Sequence, residues 1–282
     1  MLIDSHLHLQ DPVFIPDFAD VLGRAREAGV KLMICNSTSE RDWDRVRELA
    51  EQVPEIMPCF GIHPWYLAHR GAGWQDRLSS LLETVPSAIG EAGLDRWYED
   101  RDENQQEEVF RDQLELAREH RRPIMVHCLK AWGWLQRVLD EAGELPAGFL
   151  LHAYGGPVEL IRPLAEKGAF FSFAGNVLDD RKVRMRESLR AVPSERLLLE
   201  TDSPDLPPPE SYRMAGKPPV EGRRYRNEPA NLAATFPAIA AIRGEDPAEL
   251  AYVLRNNALR LLQSIPRFEP EQLIDSKADH AE

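Results

Sequence analysis

Apolar residues in this chain gather in short runs, and many of the runs end in a histidine or an acid. The runs are Leu2–Leu7, Lys31–Cys35, Ile56–Gly61, Ala88–Gly93, Ile124–Cys128, Phe149–His152, Ala169–Phe173 and Leu197–Thr201. They are rich in Ile, Val, Leu and Phe and alternate only weakly. Strong alternation marks a strand with one wet face, so its loss predicts parallel strands buried on both faces. Helical stretches separate them. The plainest, Glu103–Arg121, places Val109, Phe110, Gln113, Leu114 and Ala117 on one stripe and charge elsewhere. Ser37-Thr38-Ser39-Glu40 reads as a capping box opening the second helix. Two further helices are expected around Ala230–Ile242 and Pro247–Gln263. Eight strands with helical crossovers predict the α/β class: a closed (β/α)8 TIM barrel forming one domain over residues 1–265. Residues 266–282 are polar and aperiodic, as a flexible tail would be.

One connection breaks the rhythm. Ser203 to Glu228 holds six prolines and no periodicity, and it leaves the eighth strand at the end where such barrels keep their active sites.

Composition narrows the function classes. The 282 residues carry 34 Lys+Arg against 47 Asp+Glu, a net charge of −13. That balance argues against charge-driven binding to long duplexes or anionic lipid, but not against a local basic patch or bound cations. No apolar run approaches the ~20 residues of a membrane span. The opening residues lack the basic start and apolar stretch of a signal peptide, and three cysteines are too few for a disulfide framework. A cytoplasmic monomer is the expectation.

The strand ends carry the candidate chemistry. His6 and His8, two apart in a strand, point to one side. Glu91, His127, His152 and Asp202 stand at the ends of four other strands. One buried histidine is commonly a satisfied core residue. Four imidazoles and two carboxylates converging without a cation would leave several polar atoms unpaired. Such a donor set suits zinc, manganese or iron, with magnesium where carboxylate and water dominate. Six donors exceed one catalytic zinc site and suffice for two metals bridged by Glu91, which would make water acidic enough to ionise near neutral pH. The expected grouping is His6, His8, Glu91 and Asp202 on one ion, with Glu91, His127 and His152 on the other. Asp202 would also orient the water or receive its proton.

These residues carry a resemblance. Asp4-Ser5-His6-Leu7-His8, Gly61-Ile62-His63-Pro64, Gly90-Glu91-Ala92-Gly93-Leu94-Asp95, Val126-His127-Cys128, Leu151-His152, Glu200-Thr201-Asp202-Ser203-Pro204 and Asn227-Glu228-Pro229 together resemble the TatD family of metal-dependent deoxyribonucleases. The resemblance implies a TIM barrel with one or two divalent metals (Zn, Mn or Mg), hydrolysis of phosphodiester bonds, and metal roles for the six residues. It also implies a phosphate contact for His63. Two departures touch the substrate side: Ala153-Tyr154-Gly155-Gly156 after the sixth strand, and Arg223-Arg224-Tyr225-Arg226 before Asn227.

The partner is read from the mouth. Arg213, Lys217, Arg223, Arg224 and Arg226 make the long loop locally positive, suited to phosphate oxygens, with Arg223 and Arg226 the chosen contacts. Trp65, Trp97, Tyr98 and Tyr154 follow strand ends and are candidates to stack on bases. Trp132 and Trp134 read as structural, and Lys130 as a lesser phosphate contact. The cysteines read as small buried hydrophobes. The reading is a phosphodiesterase acting on nucleic acid, with no membrane. The alternatives are a metal-dependent ester or amide hydrolase such as an aminoacyl-tRNA deacylase, and a non-catalytic metal-stabilised binding protein.

Overall fold

A computed structural model describes residues 1–214 and 225–268. Eight strands run in the order of the sequence: β1 (Leu2–Leu7), β2 (Val30–Asn36), β3 (Ile56–Phe60), β4 (Ala88–Asp95), β5 (Ile124–Leu129), β6 (Phe149–Leu151), β7 (Ala169–Ala174) and β8 (Leu197–Glu200). Each pairs with the next in parallel. The helices between them are α1 (Phe18–Glu27), α2 (Trp43–Gln52), α3 (Trp74–Thr84), α4 (Glu103–Glu119), α5 (Trp132–Ala142), α6 (Ile161–Glu166) and α7 (Val183–Ala191), followed by α8 (Asn231–Arg243) and α9 (Pro247–Leu262). This is the barrel expected from the pattern, in one domain. The described part of the tail, residues 266–268, follows α9; the rest of the expected tail lies outside the described residues.

Strand alternation sorts the core into two layers. Leu32, Ile34, Met57, Cys59, Met125, Leu150, Phe170 and Leu198 pack together and onto Ala258, Leu261, Leu262 and Ile265 of α9 and the turn after it. The other strand face, with Leu7, Met33, Cys35, Ile89, Val126, Leu151, Phe171 and Leu199, joins the helices in the larger core. Two residues beyond Met125 comes His127, two beyond Leu150 comes His152, and four beyond Leu198 comes Asp202. The inner positions change from apolar to polar at one level. Cys128 takes the outer layer, opposite His127, as its neighbour position requires.

Two local features position the site. The seam between β8 and β1 is tied by Asp202 N–H to the His6 carbonyl (3.0 Å), Ser5 Oγ to the Leu199 carbonyl (2.9 Å) and His8 N–H to the Ser203 carbonyl (2.8 Å). On the far side, Gly93 lets β4 approach β5. Its φ is +149°, and a Cβ there would lie 2.0 Å from the His127 carbonyl oxygen, so no side chain fits.

The second helix starts later than expected. Asp42, not Ser37, precedes α2, and its carboxylate accepts the N–H groups of Thr38 (3.0 Å) and Ser39 (3.2 Å). The Ser37 hydroxyl instead accepts from Gly61 N–H at 2.8 Å and lies 3.2 Å from the carbonyls of Gly61 and Gly90. Those partners sit on strands far along the chain, out of reach of a local capping rule.

Candidate metal centre

Glu91 stands at the middle of the barrel mouth, almost wholly buried. Its Oε2 lies 3.4 Å from His6 Nε2 and 3.3 Å from His8 Nε2. Its Oε1 lies 3.0 Å from His127 Nδ1, 2.8 Å from His152 Nε2 and 3.4 Å from His63 Nε2. Asp202 Oδ1 faces the first group, 3.7 Å from His6 Nε2 and 3.4 Å from His8 Nε2. The structure thus brings all six residues named from sequence together, and adds His63.

Which nitrogen points inward is set from outside the cluster. His8 Nδ1 lies 2.7 Å from the Asn36 carbonyl, an acceptor only, so its proton sits there and Nε2 presents a lone pair. His127 Nε2 lies 2.8 Å from Asp95 Oδ2, which leaves the Nδ1 lone pair facing Glu91. Lone pair then meets carboxylate oxygen, an arrangement that requires a proton or a cation between them. His6 makes the same point more strongly. It is fully buried, stacked at 3.9 Å on His152, and neither ring nitrogen has a hydrogen-bond partner among the described residues. Burial and the His152 ring hold its pKa below the usual imidazole value, so it stays neutral. A neutral buried imidazole is a competent ligand and a costly orphan otherwise. The donor set therefore fits a divalent cation.

The charges agree. Glu91 is held well below the usual carboxylate range although burial opposes it, because His152, His63 and His127 surround it. Burial likewise opposes the upward shift of His8, which Asp202 and Glu91 impose, and that of His152, which Glu91 and Glu200 impose. Three triads have donor atoms within 4.8 Å of one another: His6, His152 and Asp202; His6, His8 and Glu91; and His63, Glu91 and His127.

His63 differs in one respect. Its Nδ1 accepts the Trp65 N–H at 3.1 Å, which puts the ring proton on Nε2 and aims a donor into the site. Burial lowers its pKa to about 4, so that donor is neutral.

Several supports were not read from the sequence. Asp95, fully buried, accepts from His127 Nε2, from Trp65 Nε1 (2.9 Å) and from the N–H groups of Trp97 (2.5 Å) and Tyr98 (3.0 Å). Glu200 accepts from Ala153 N–H (2.7 Å) and Ser172 Oγ, and lies 3.8 Å from His152 Nδ1. On α4, Gln106 clasps the peptide of Asp95 (2.8 and 3.0 Å) and Gln113 clasps that of Ile62 (2.8 and 3.1 Å). Their seven-residue spacing on one helix face was visible; that two buried glutamines would grip neighbours of site residues was not.

Other expectations fare differently. Tyr154 does not stack at the mouth: it is fully buried, its hydroxyl donates to the Pro157 carbonyl (2.7 Å), and Trp132, Phe171 and Phe173 surround its ring. Arg226 bonds Asp17 (2.7 and 2.8 Å) and the Val13 carbonyl (2.9 Å) and lies over the Phe14 ring, a brace in place of the phosphate contact expected. Arg213 lies over the Tyr225 ring. Lys217, Arg223 and Arg224 lie outside the described residues. Asn227 Nδ2 donates to the carbonyls of Thr201 (2.7 Å) and Asp205 (2.9 Å), pinning the turn that carries Asp202 at φ +54°. Cys35, Cys59 and Cys128 are buried free thiols whose pKa burial raises.

A family model described as TatD related DNase matches residues 3–263. The chain belongs to the TatD family. A relative from Salmonella typhimurium named 3'-5' ssDNA/RNA exonuclease TatD is 32% identical over 266 residues, covering 94% of this chain and all of that protein. The Bacillus subtilis protein YabD, named an uncharacterized metal-dependent hydrolase, is 30% identical and covers 93% of this chain and 99% of its own. Among solved structures, the TatD homolog YjjV of Escherichia coli superposes with a TM-score of 0.84 at 28% identity, over 92% of this chain and 97% of that one. The TatD barrel is thus shared along nearly the whole chain. No helix among the described residues is long and apolar enough to cross a membrane.

Proposed function

We propose that this TatD-family chain is a metal-dependent phosphodiesterase that shortens single-stranded DNA or RNA from an end. Glu91 carries the reading: its two oxygens face two separate groups of imidazoles, as a carboxylate shared by two cations would. His6, His8, Glu91 and Asp202 would hold one ion, and Glu91, His127 and His152 the other. Zinc or manganese suit these mixed nitrogen and oxygen donors, with magnesium the harder alternative. Bound there, such ions polarise a phosphoryl oxygen and lower the pKa of water.

The chain's own groups do the rest. His63 donates from Nε2 to a phosphate oxygen, and Arg223 is the second phosphate contact. Asp202 keeps its carboxylate ionised against burial, chiefly through His8 and the neighbouring imidazoles, and is the proton acceptor at the seam. Three buried free thiols accord with a reducing, cytoplasmic compartment. The Salmonella relative's name supports both the single-stranded substrate and the 3'-to-5' direction.

The test is metal-reconstituted protein given end-labelled single-stranded DNA and RNA, with an aminoacyl-tRNA in parallel. Stepwise shortening from the 3' end, lost in Asp202→Ala, is expected. Ester turnover without oligonucleotide cleavage would overturn the reading in favour of a deacylase.

A further inference from the structure

Asp95 joins two things that lie apart in sequence. One oxygen orients His127 and holds the Trp65 indole; the other holds the backbone of Trp97 and Tyr98. Around it stand three aromatic rings. Trp65 lies 5.9 Å from Trp97 and 5.9 Å from Tyr98, tilted only 32° and 28°. On its inner side Trp65 meets His63 edge-on at 5.1 Å and His127 at 6.3 Å. Trp97 is 55% exposed and Tyr98 37%, both at the mouth.

Exposed rings of this size are unfavourable in water unless something covers them. Asp95 holds Trp97 and Tyr98 through their backbone N–H groups, an anchoring that does not depend on their rings. Their side chains are free to face outward.

We propose that Trp65, Trp97 and Tyr98 form a stacking platform for an unpaired base of the substrate strand, registered against the metal centre through Asp95. This rests on the phosphodiesterase reading and adds a subsite and a selectivity to it. The occupant is a nucleobase of a single strand for two reasons visible in the site. The patch offers the π-faces of three rings, which suit flat rings of any sequence. It is also continuous with His63 and His127, so a base held there leaves its phosphate beside the cluster. Basic groups adjoin the patch: Arg96 and Arg101 share Glu103, and Arg101 Nη1 donates to the Tyr98 carbonyl at 3.1 Å. Paired bases are already stacked within a duplex and offer no free face, so a duplex end should be a poorer substrate.

The experiment is a two-by-two comparison of full-length protein. Wild type and Trp97→Ala/Tyr98→Ala are each given a fluorescein-labelled single strand, and the same strand with its terminal bases replaced by abasic tetrahydrofuran units. Binding is read by anisotropy in EDTA, and cleavage with metal restored. Both variant side chains are exposed, and an unchanged circular dichroism spectrum and melting midpoint certify the fold. The expected result is a loss of about 10- to 100-fold in affinity and KM, at nearly constant kcat, for either change alone. The double change should add little more, because both remove the same stack. Equal binding by wild type and variant, or fully additive losses, would overturn the platform while leaving the phosphodiesterase reading intact. Platform-dependent binding without cleavage by wild type would overturn that reading and keep the platform. Neither binding nor cleavage would overturn both.

Discussion

Glu91 and Trp97 mark two regions separated by His127 and Asp95, and the two are held in opposite ways. Around Glu91 the groups are polar and buried or half-buried: five imidazoles converge on one carboxylate, and outer partners choose which nitrogen of His8, His63 and His127 faces inward. Around Trp97 the backbone is anchored by Asp95, while the rings lie open to solvent. A site that binds ions needs donors fixed before the ion arrives, since small displacements weaken coordination. A site that accepts any base needs a broad face and tolerates some freedom. Asp95 lets one carboxylate serve both demands.

The sharpest way to break the contrast is at Glu91. Glu91→Ala should lower kcat/KM by at least about 10³-fold, because it removes the carboxylate proposed as the shared ligand. Stoichiometric metal, measured on the purified protein, should fall with it. Asp95→Asn should be milder on the buried side. Metal affinity by titration calorimetry should drop about 10- to 100-fold, the usual effect of losing the partner of a ligating histidine, and the base-stacking contribution should weaken in the same variant.

Gln113→Leu tests whether α4 matters to both regions. It strips the partner from the buried Ile62 N–H and carbonyl, and unfolding in urea should show a loss of about 1–3 kcal/mol. The smallest effect belongs to the outer support of the rim. Glu107 bonds Arg137, Trp134 and Arg111, and Arg137 chiefly holds its pKa down from 4.5 to about 2. A depressed carboxylate stabilises the fold above its unfolded pKa and loses that contribution as pH falls. Wild type should therefore exceed Glu107→Gln in stability at neutral pH, by no more than about 1 kcal/mol for so exposed a network. The gap should close as pH falls from about 4.5 to about 2, as melting midpoints across that range would show.

Legibility in the sequence followed the range of the interaction. The strands Leu2–Leu7 and Ile124–Cys128 were readable because burial on both faces leaves a local signature, and β5 differs from the expectation by one residue. That the six residues cluster was readable because strand alternation puts a residue at a strand end on the face of the inner residue two before it. Ser37 misled because its hydroxyl had a local capping role available and took the carbonyls of Gly61, just past β3, and Gly90 on β4 instead. Tyr154 misled because a ring after a strand end can turn either way, and here the outer core claimed it. Arg226 found Asp17, some two hundred positions earlier.

By itself the sequence determined the barrel, the level at which its inner face turns polar, and which residue types meet there. These depend on periodicity and residue chemistry, both local properties of a strand. Tertiary structure alone decided that Glu91 divides its oxygens between two groups, that Asn36 and Asp95 choose the inward nitrogens of His8 and His127, and that Asp95 reaches the aromatic rim as well. Each is a hydrogen bond or contact between strands and loops distant along the chain, with direction and length that only the closed barrel defines.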